Sequence, residues 1–213
     1  MSARSFAVPP YAAATPAAAV AGSAGTATTP ARSDHVHPRY QWAPPDHNLL
    51  AWTEDPRVAA NSGSLSVAGT LYLQRVHLPV AASVTNVVMV VTSALTTATS
   101  GQNFAALFTS AGALVAQSAD QSTAWATTGT KTMALAGGPH SCAAGDYYLG
   151  VWANASGLPA FARASSQSAQ LVNVGLSAPN LRSCTANTGL TTAAPSSLGS
   201  QTSSSLALWA ALS

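Results

Sequence analysis

The sequence predicts an all-β protein: a jelly-roll-like antiparallel β-sandwich preceded by an extended, irregular N-terminal arm. Three observations carry this. Residues 1–62 hold eight of the thirteen prolines and almost no periodic apolar pattern, so no long helix or strand fits there. From Leu65 onward, short β-rich runs are separated by clusters of Gly, Ser, Thr and Asn, the pattern of sandwiches and barrels. About eight such runs fall within roughly 150 residues, which suits two packed sheets. The boundary is therefore placed after residue 62, with an anchoring arm and linker before it and a β-sandwich knob over residues 63–213.

The runs can be taken in order. In GTLYLQRVHL, Leu71, Leu73, Arg75 and His77 alternate with Tyr72, Gln74, Val76 and Leu78. The apolar face switches partway, which predicts a long strand with a bulge or bend near Gln74. Val84 to Val91 is nearly continuous and β-branched, as expected of a strand buried on both faces. Phe104–Phe108, a turn at Ser110-Ala111-Gly112 and Leu114–Gln117 read as a hairpin. Further strands are expected at Thr130–Leu135, Asp146–Ala153, Ala160–Arg163 and Leu171–Val174. The closing SLALWAALS puts Leu206, Leu208, Ala210 and Leu212 on one face and Ala207, Trp209 and Ala211 on the other, a last strand tied into a sheet. No internal repeat at a fixed period is visible.

Composition narrows the function. Only 7% of residues are charged and the net charge is +2, against about 25% charged residues in an average domain. A surface of small polar groups with so little net charge favours association, which points to a component of an assembly. Lys131 is the only lysine and the seven arginines are scattered, so nucleic-acid binding is not expected. The Ala-rich stretch 11–28 is broken by Pro16, Gly22 and Gly25 and has no Leu, Ile or Phe. It reads neither as a membrane span nor as a signal peptide, so synthesis in a cytoplasm without export is expected. Cys142 and Cys184 can be read as a disulfide closing a loop of about forty residues, or as two buried thiols.

Catalytic patterns are weak, and no enzymatic activity is expected. There is no G-x-S-x-G elbow and no S-x-x-K motif. His140 and Cys142 would share a strand face, but no third partner accompanies them. Glu54, Asp55, Asp120 and Asp146 offer no evident carboxylate pair for glycoside chemistry. Trp125, Tyr147, Tyr148 and Trp152 cluster in sequence; Trp125 and Trp152 are the aromatics expected to bind a ligand such as a sugar. Because Tyr147 and Tyr148 are adjacent, they face opposite sides of a strand and at least one belongs to the core. Asn154-Ala155-Ser156 matches a glycosylation acceptor, which has no meaning without export.

One constellation remains, in PARSDHVHPRYQWAPPDHN (residues 30–48), which holds three of the five histidines. In an extended segment His35 and His37 project from one face, about 6.6 Å apart along the chain. Three copies around a three-fold axis would present six nitrogens, an octahedral set for a divalent transition metal such as Fe, Ni or Zn, with Asp34 orienting an imidazole. Alternatively, Asp34 caps a turn before Pro38 and the histidines pack.

The segment GTATTPARSDHVHP (Gly25 to Pro38) resembles a stretch found in tailed-phage fibre and tail-associated proteins, a small-residue run followed by A-R-x-D-H-x-H-P. Its histidine pair resembles the H-x-H of trimeric phage spikes, in which three chains coordinate iron on the axis; carried over, the ligands are His35 and His37. The body from Gly69, through GTLYLQRVHLPVAASVTNVVMVV, NFAALFTSAGALVAQSADQSTAW and AAGDYYLGVW, is similar to β-sandwich domains of minor tail and fibre-like proteins from phages of high-GC actinobacteria. The resemblance implies a homotrimeric virion protein, assembled in the host cytoplasm and carried on the particle surface. Its partners would be major capsid or tail proteins, with host-surface glycan as an alternative target. Unlike a long fibre, the chain has one arm of about sixty residues leading to one knob, which suits a decoration protein or a short receptor-binding tip. Deleting residues 1–62 is expected to leave a folded knob that no longer joins particles.

Overall fold

The computed structural model describes residues 42–164 and 168–213. Strands β1 (Ala51–Trp52), β2 (Asn61–Ser64), β3 (Leu71–Leu78), β4 (Ala82–Val84), β5 (Asn86–Ser93) and β6 (Thr96–Ala98) come first. They are followed by β7 (Phe104–Thr109), β8 (Leu114–Gln117), β9 (Gly129–Ala134), β10 (His140–Cys142) and β11 (Gly145–Trp152). Next come β12 (Ala155–Gly157), β13 (Ala160–Arg163), a short helix α1 (Ala169–Val172), β14 (Ser183–Ala186), β15 (Thr202–Ser203) and β16 (Ala210–Leu212).

Two antiparallel sheets form the sandwich. In the first, β9 lines one edge of β5, while the other edge is shared end to end by β16 and β13, which pair outward with β1 and β2. The second runs β15-β14-β3-β11-β7-β8. The chain crosses between sheets at most connections: β3 lies in the second sheet, β5 in the first, β7 in the second, β9 in the first, then β11, β13, β14 and β16 in alternation. This alternation is the jelly-roll-like feature of the topology. Small two-stranded ribbons, β4 with β10 and β6 with β12, close the ends.

The main core lies between the sheets. Tyr72, Val76 and Leu78 of β3, Leu107 of β7 and Leu149 and Val151 of β11 meet Val87, Met89 and Val91 of β5, Met133 of β9 and Phe161 of β13. Both outer faces are also covered. Over the second sheet, Leu190, Ala194 and Leu198 pack on Leu71, Leu73, Phe104, Phe108, Tyr148 and Trp152. Over the first, Leu49, Trp52 and Ala59 pack on Val88, Trp209 and Ala211. Burial on two sides explains why β5, β7 and β11 read as nearly unbroken apolar runs.

Several expectations are corrected. The sandwich takes in residues assigned to the linker: Trp52 pairs with Ala211 and Asn61 with Arg163, so it begins near residue 42 rather than 63. Of the arm expected over residues 1–62, residues 1–41 lie outside the described residues. There is no bulge at Gln74, since β3 keeps unbroken register with both β11 and β14. Gln74 is buried in the inner face because its amide Nε2 donates to Leu206 O at 2.8 Å and to Ser183 Oγ at 3.3 Å. Leu171–Val174 is not a strand. Leu171 and Val172 close the helix α1, capped by Ser168 Oγ accepting from Leu171 N, and Leu171 and Val174 stay exposed.

Candidate functional site

The apolar-to-polar switch along β3 has a positional cause. Strand β14 pairs with β3 only from Leu71 to Gln74, and the covering segment 190–198 lies over the same end. Leu71 and Leu73 are therefore buried on the outer face, while Arg75 and His77, two and four residues on, emerge past the cover. Opposite His77 in register stands Asp146 of β11. The segment entering β14 brings Leu176 and Arg182 alongside, and the end of β1 brings Trp52 and Thr53. Together with Val76 these residues line a shallow depression of about 290 Å³.

Its polar groups are cross-linked. Arg75 Nη2 donates to Asp146 Oδ2, and its Nη1 donates to Asn180 O at 3.0 Å. His77 Nδ1 meets Asp146 Oδ1 at 2.8 Å, so Nδ1 carries the proton facing the carboxylate and Nε2 is turned away from it. Partial burial opposes the charge of Asp146. The hydrogen bonds from His77 and Arg75, with the Arg75 charge, outweigh that and hold its carboxyl below the ordinary range. Arg182 Nη2 donates to Thr53 O at 3.2 Å, and the nearest carboxylate, Glu54, stands 3.6 Å away. Glu54 is turned inward: burial pushes its pKa up, against the Arg182 charge and a bond from the Ala164 backbone, and its Oε1 has no hydrogen-bond partner among the described residues.

Trp52 forms the apolar wall. Its ring sits 5.4 Å from that of His47 in a T-shaped contact, and His47 is 5.4 Å from Trp42 in the same manner. This fixed row of rings gives the wall a set orientation. The one hydroxyl in the lining, Thr53 Oγ1, donates to Leu208 O and accepts from Ala210 N. The depression thus brings hydrogen-bond donors, acceptors and an aromatic surface together.

The expected site residues fall elsewhere. Trp125 and Trp152 are both 0% exposed, so neither is a ligand platform. Trp125, on a short 3-10 turn, points into the main core and meets Phe161 edge-on at 5.3 Å; Trp152 lies under the 190–198 segment with Nε1 donating to Thr191 O at 3.0 Å. Cys142 and Cys184 are free, buried thiols. Cys142 belongs to the core between the sheets and Cys184 to the cluster outside the second sheet, and the intervening sheet prevents a bridge. His140 and Cys142 share β10, where His140 Nε2 bonds Ala136 O. His35 and His37 lie outside the described residues. Among the described residues, no three His, Cys, Asp or Glu side chains gather as a metal site. Sequence reasoning missed Trp52 because it sat in the presumed linker; the signal for Arg75 and His77, two polar residues on one face of a strand, was present in the alternation. Comparison with protein-family models, curated proteins and solved structures finds no match for this chain.

Proposed function

We propose that the chain is a non-enzymatic structural component of a tailed-phage virion, attached through its N-terminal arm and displaying the β-sandwich as a knob on the particle surface. The observation that carries this reading is the division of labour along the chain. The sandwich from residue 42 covers both of its own outer faces, whereas the A-R-x-D-H-x-H-P segment resembling phage fibre proteins lies wholly within residues 1–41. In this reading the segment before the sandwich serves as the attachment, as a homotrimer on capsid or tail proteins. A segment that gains its contacts only on a partner couples docking to ordering. Burial raises the pKa of both thiols, that of Cys184 to about 12, the opposite of what a cysteine nucleophile requires.

The test is deletion of residues 1–41 in the particle-forming context. The truncated protein is expected to fold and to be missing from purified particles. Incorporation at normal copy number would refute the reading. A second reading, a receptor-binding adhesin for host-surface glycan, is favoured by the depression beside Trp52, where an aromatic wall meets several hydrogen-bonding side chains.

A further inference from the structure

We propose that the depression between Trp52 and the Arg75–Asp146–His77 cluster binds a saccharide, seating one pyranose ring on Trp52 with an anionic substituent of that sugar held by Arg182. This rests on the adhesin reading above and assigns the site and the ligand class that such a protein would use.

The argument starts from what the groups have left to offer. A pyranose ring has an apolar C–H face and a rim of hydroxyls, each both donor and acceptor. Its recognition therefore calls for an aromatic surface beside a mixed set of donors and acceptors. Trp52 supplies the surface, held by His47 on one side and by its packing on the outer face of the first sheet on the other. Leu176 supplies a second apolar contact. Asp146 spends one lone pair on His77 and one on Arg75, and a carboxylate has about four acceptor sites, so acceptors remain. His77 Nε2, on a side chain 68% exposed and turned away from Asp146, is a further hydrogen-bonding atom. Arg75 and Arg182 each commit only part of a five-donor guanidinium.

The anionic substituent follows from Arg182. Its side chain is 49% exposed, its Nη2 donates to Thr53 O and forms an ion pair with Glu54 Oε2 at 3.6 Å, and among the described residues no acceptor engages its other N–H groups. A guanidinium with an open edge on a rim is the group suited to paired bonds with a carboxylate or phosphate. The cavity volume, about 290 Å³, lies at the lower end of ligand sites, roughly 300 to 1,000 Å³, which limits the enclosed portion to about one ring with the rest of a chain passing outside.

The test uses the full chain and a panel of uronate-containing oligosaccharides, each paired with its carboxyl-reduced counterpart, with a glycerol-phosphate oligomer as the phosphate arm. Saturable binding is expected for at least one anionic saccharide, read by calorimetry and by quenching of tryptophan fluorescence. The carboxyl-reduced partner should bind about tenfold more weakly or worse, and Arg182→Gln should remove that preference. Trp52→Ala should abolish binding; if that variant does not fold, Trp52→Phe, which keeps an aromatic wall, should retain it at reduced affinity. No saturable binding across the panel, or equal binding to the anionic and reduced forms, overturns the proposal. Binding to the glycerol-phosphate oligomer alone also overturns it, since the sugar ring would then play no part. Host cell walls separate the two readings: wall binding unaffected by Trp52→Phe and Arg182→Gln keeps the adhesin and removes this site. Saccharide binding without wall binding keeps this site and removes the adhesin.

Discussion

A methyl group added at Gly150 would lie 2.9 Å from Leu71 Cδ1, 3.1 Å from Leu73 Cδ2 and 3.2 Å from Phe108 Cε2. The glycine is there because two leucines of β3 and a phenylalanine of β7 close over the middle of β11, all fully buried. Gly150→Ala is expected to cost about 1–3 kcal/mol through overpacking, measured as a lower urea midpoint at unchanged slope. The same crowding accounts for Trp152. Between Gly and Trp on one strand face, the space left by the small residue is taken by neighbours that enclose the large one, and Phe104 lies 5.1 Å from its ring. Nothing in DYYLGVWA distinguishes a tryptophan under a covering loop from one on a loop surface, so its burial could not be read from the sequence. The opposite holds for Tyr147 and Tyr148: adjacency alone placed them on opposite faces, and they belong to different clusters, with Tyr148 Oη donating to Pro179 O and Leu181 O.

Short connecting elements depend on side chains more than on pairing. Asp120 Oδ1 accepts from Asn103 N at 3.0 Å, and the buried Asn103 amide donates to Thr99 O and Ser122 Oγ while its Oδ1 accepts from Asn154 N. This joins the turn before β7, the segment after β8 and the end of β11. Burial opposes the charge on Asp120, but bonds from Ser122, Gly101 and Asn103 outweigh it and lower its pKa from the ordinary 3.8. A depressed folded pKa contributes stability that is present above the unfolded value and lost as pH falls through the folded one. Asp120→Asn should therefore destabilise the protein by about 1–2 kcal/mol at neutral pH, and the gap to the wild type should close below pH 3.8. Thermal melts between pH 2.5 and 7 check both parts. At this scale, the strands of six or more residues were legible because alternation or continuous β-branching is a local signal. The strands of two to four residues, among them β1, β2, β10 and β15, were mostly missed, since a run that short acquires its identity from the partner it meets. The Leu171–Val174 run failed for the same reason, being too short for its period to separate helix from strand.

Over the whole molecule, the sandwich depends on a segment that reads as linker. Residues 49–59 cover Trp209 and Ala211, β1 closes the edge beside β16, and Trp209 Nε1 donates to Glu54 O at 2.9 Å. A chain starting at residue 42 should melt like the full protein. One starting at residue 63 should lose roughly 3 kcal/mol or more, the scale of one large buried side chain, and expose Trp209 to quenchers. Equal stability of the two would contradict the covering role. The low charge content finds its counterpart in this architecture. Loops and covering segments rich in Ala, Ser and Thr wrap both sheets, and the charged groups that remain on the second sheet's outer face, Arg75, His77 and Asp146, gather where that cover stops. By itself, the sequence determined the all-β class, the long strands, the two-sided burial of β5, and the face shared by Arg75 and His77, because each follows from a period of two, a continuous β-branched run or composition. Only the tertiary structure decided where the sandwich begins, which tryptophans are core and which are accessible, that the two cysteines lie on opposite sides of a sheet, and that Trp52 and Arg182 join the β3 cluster. Those outcomes depend on contacts between residues far apart in the chain, for which no local pattern exists.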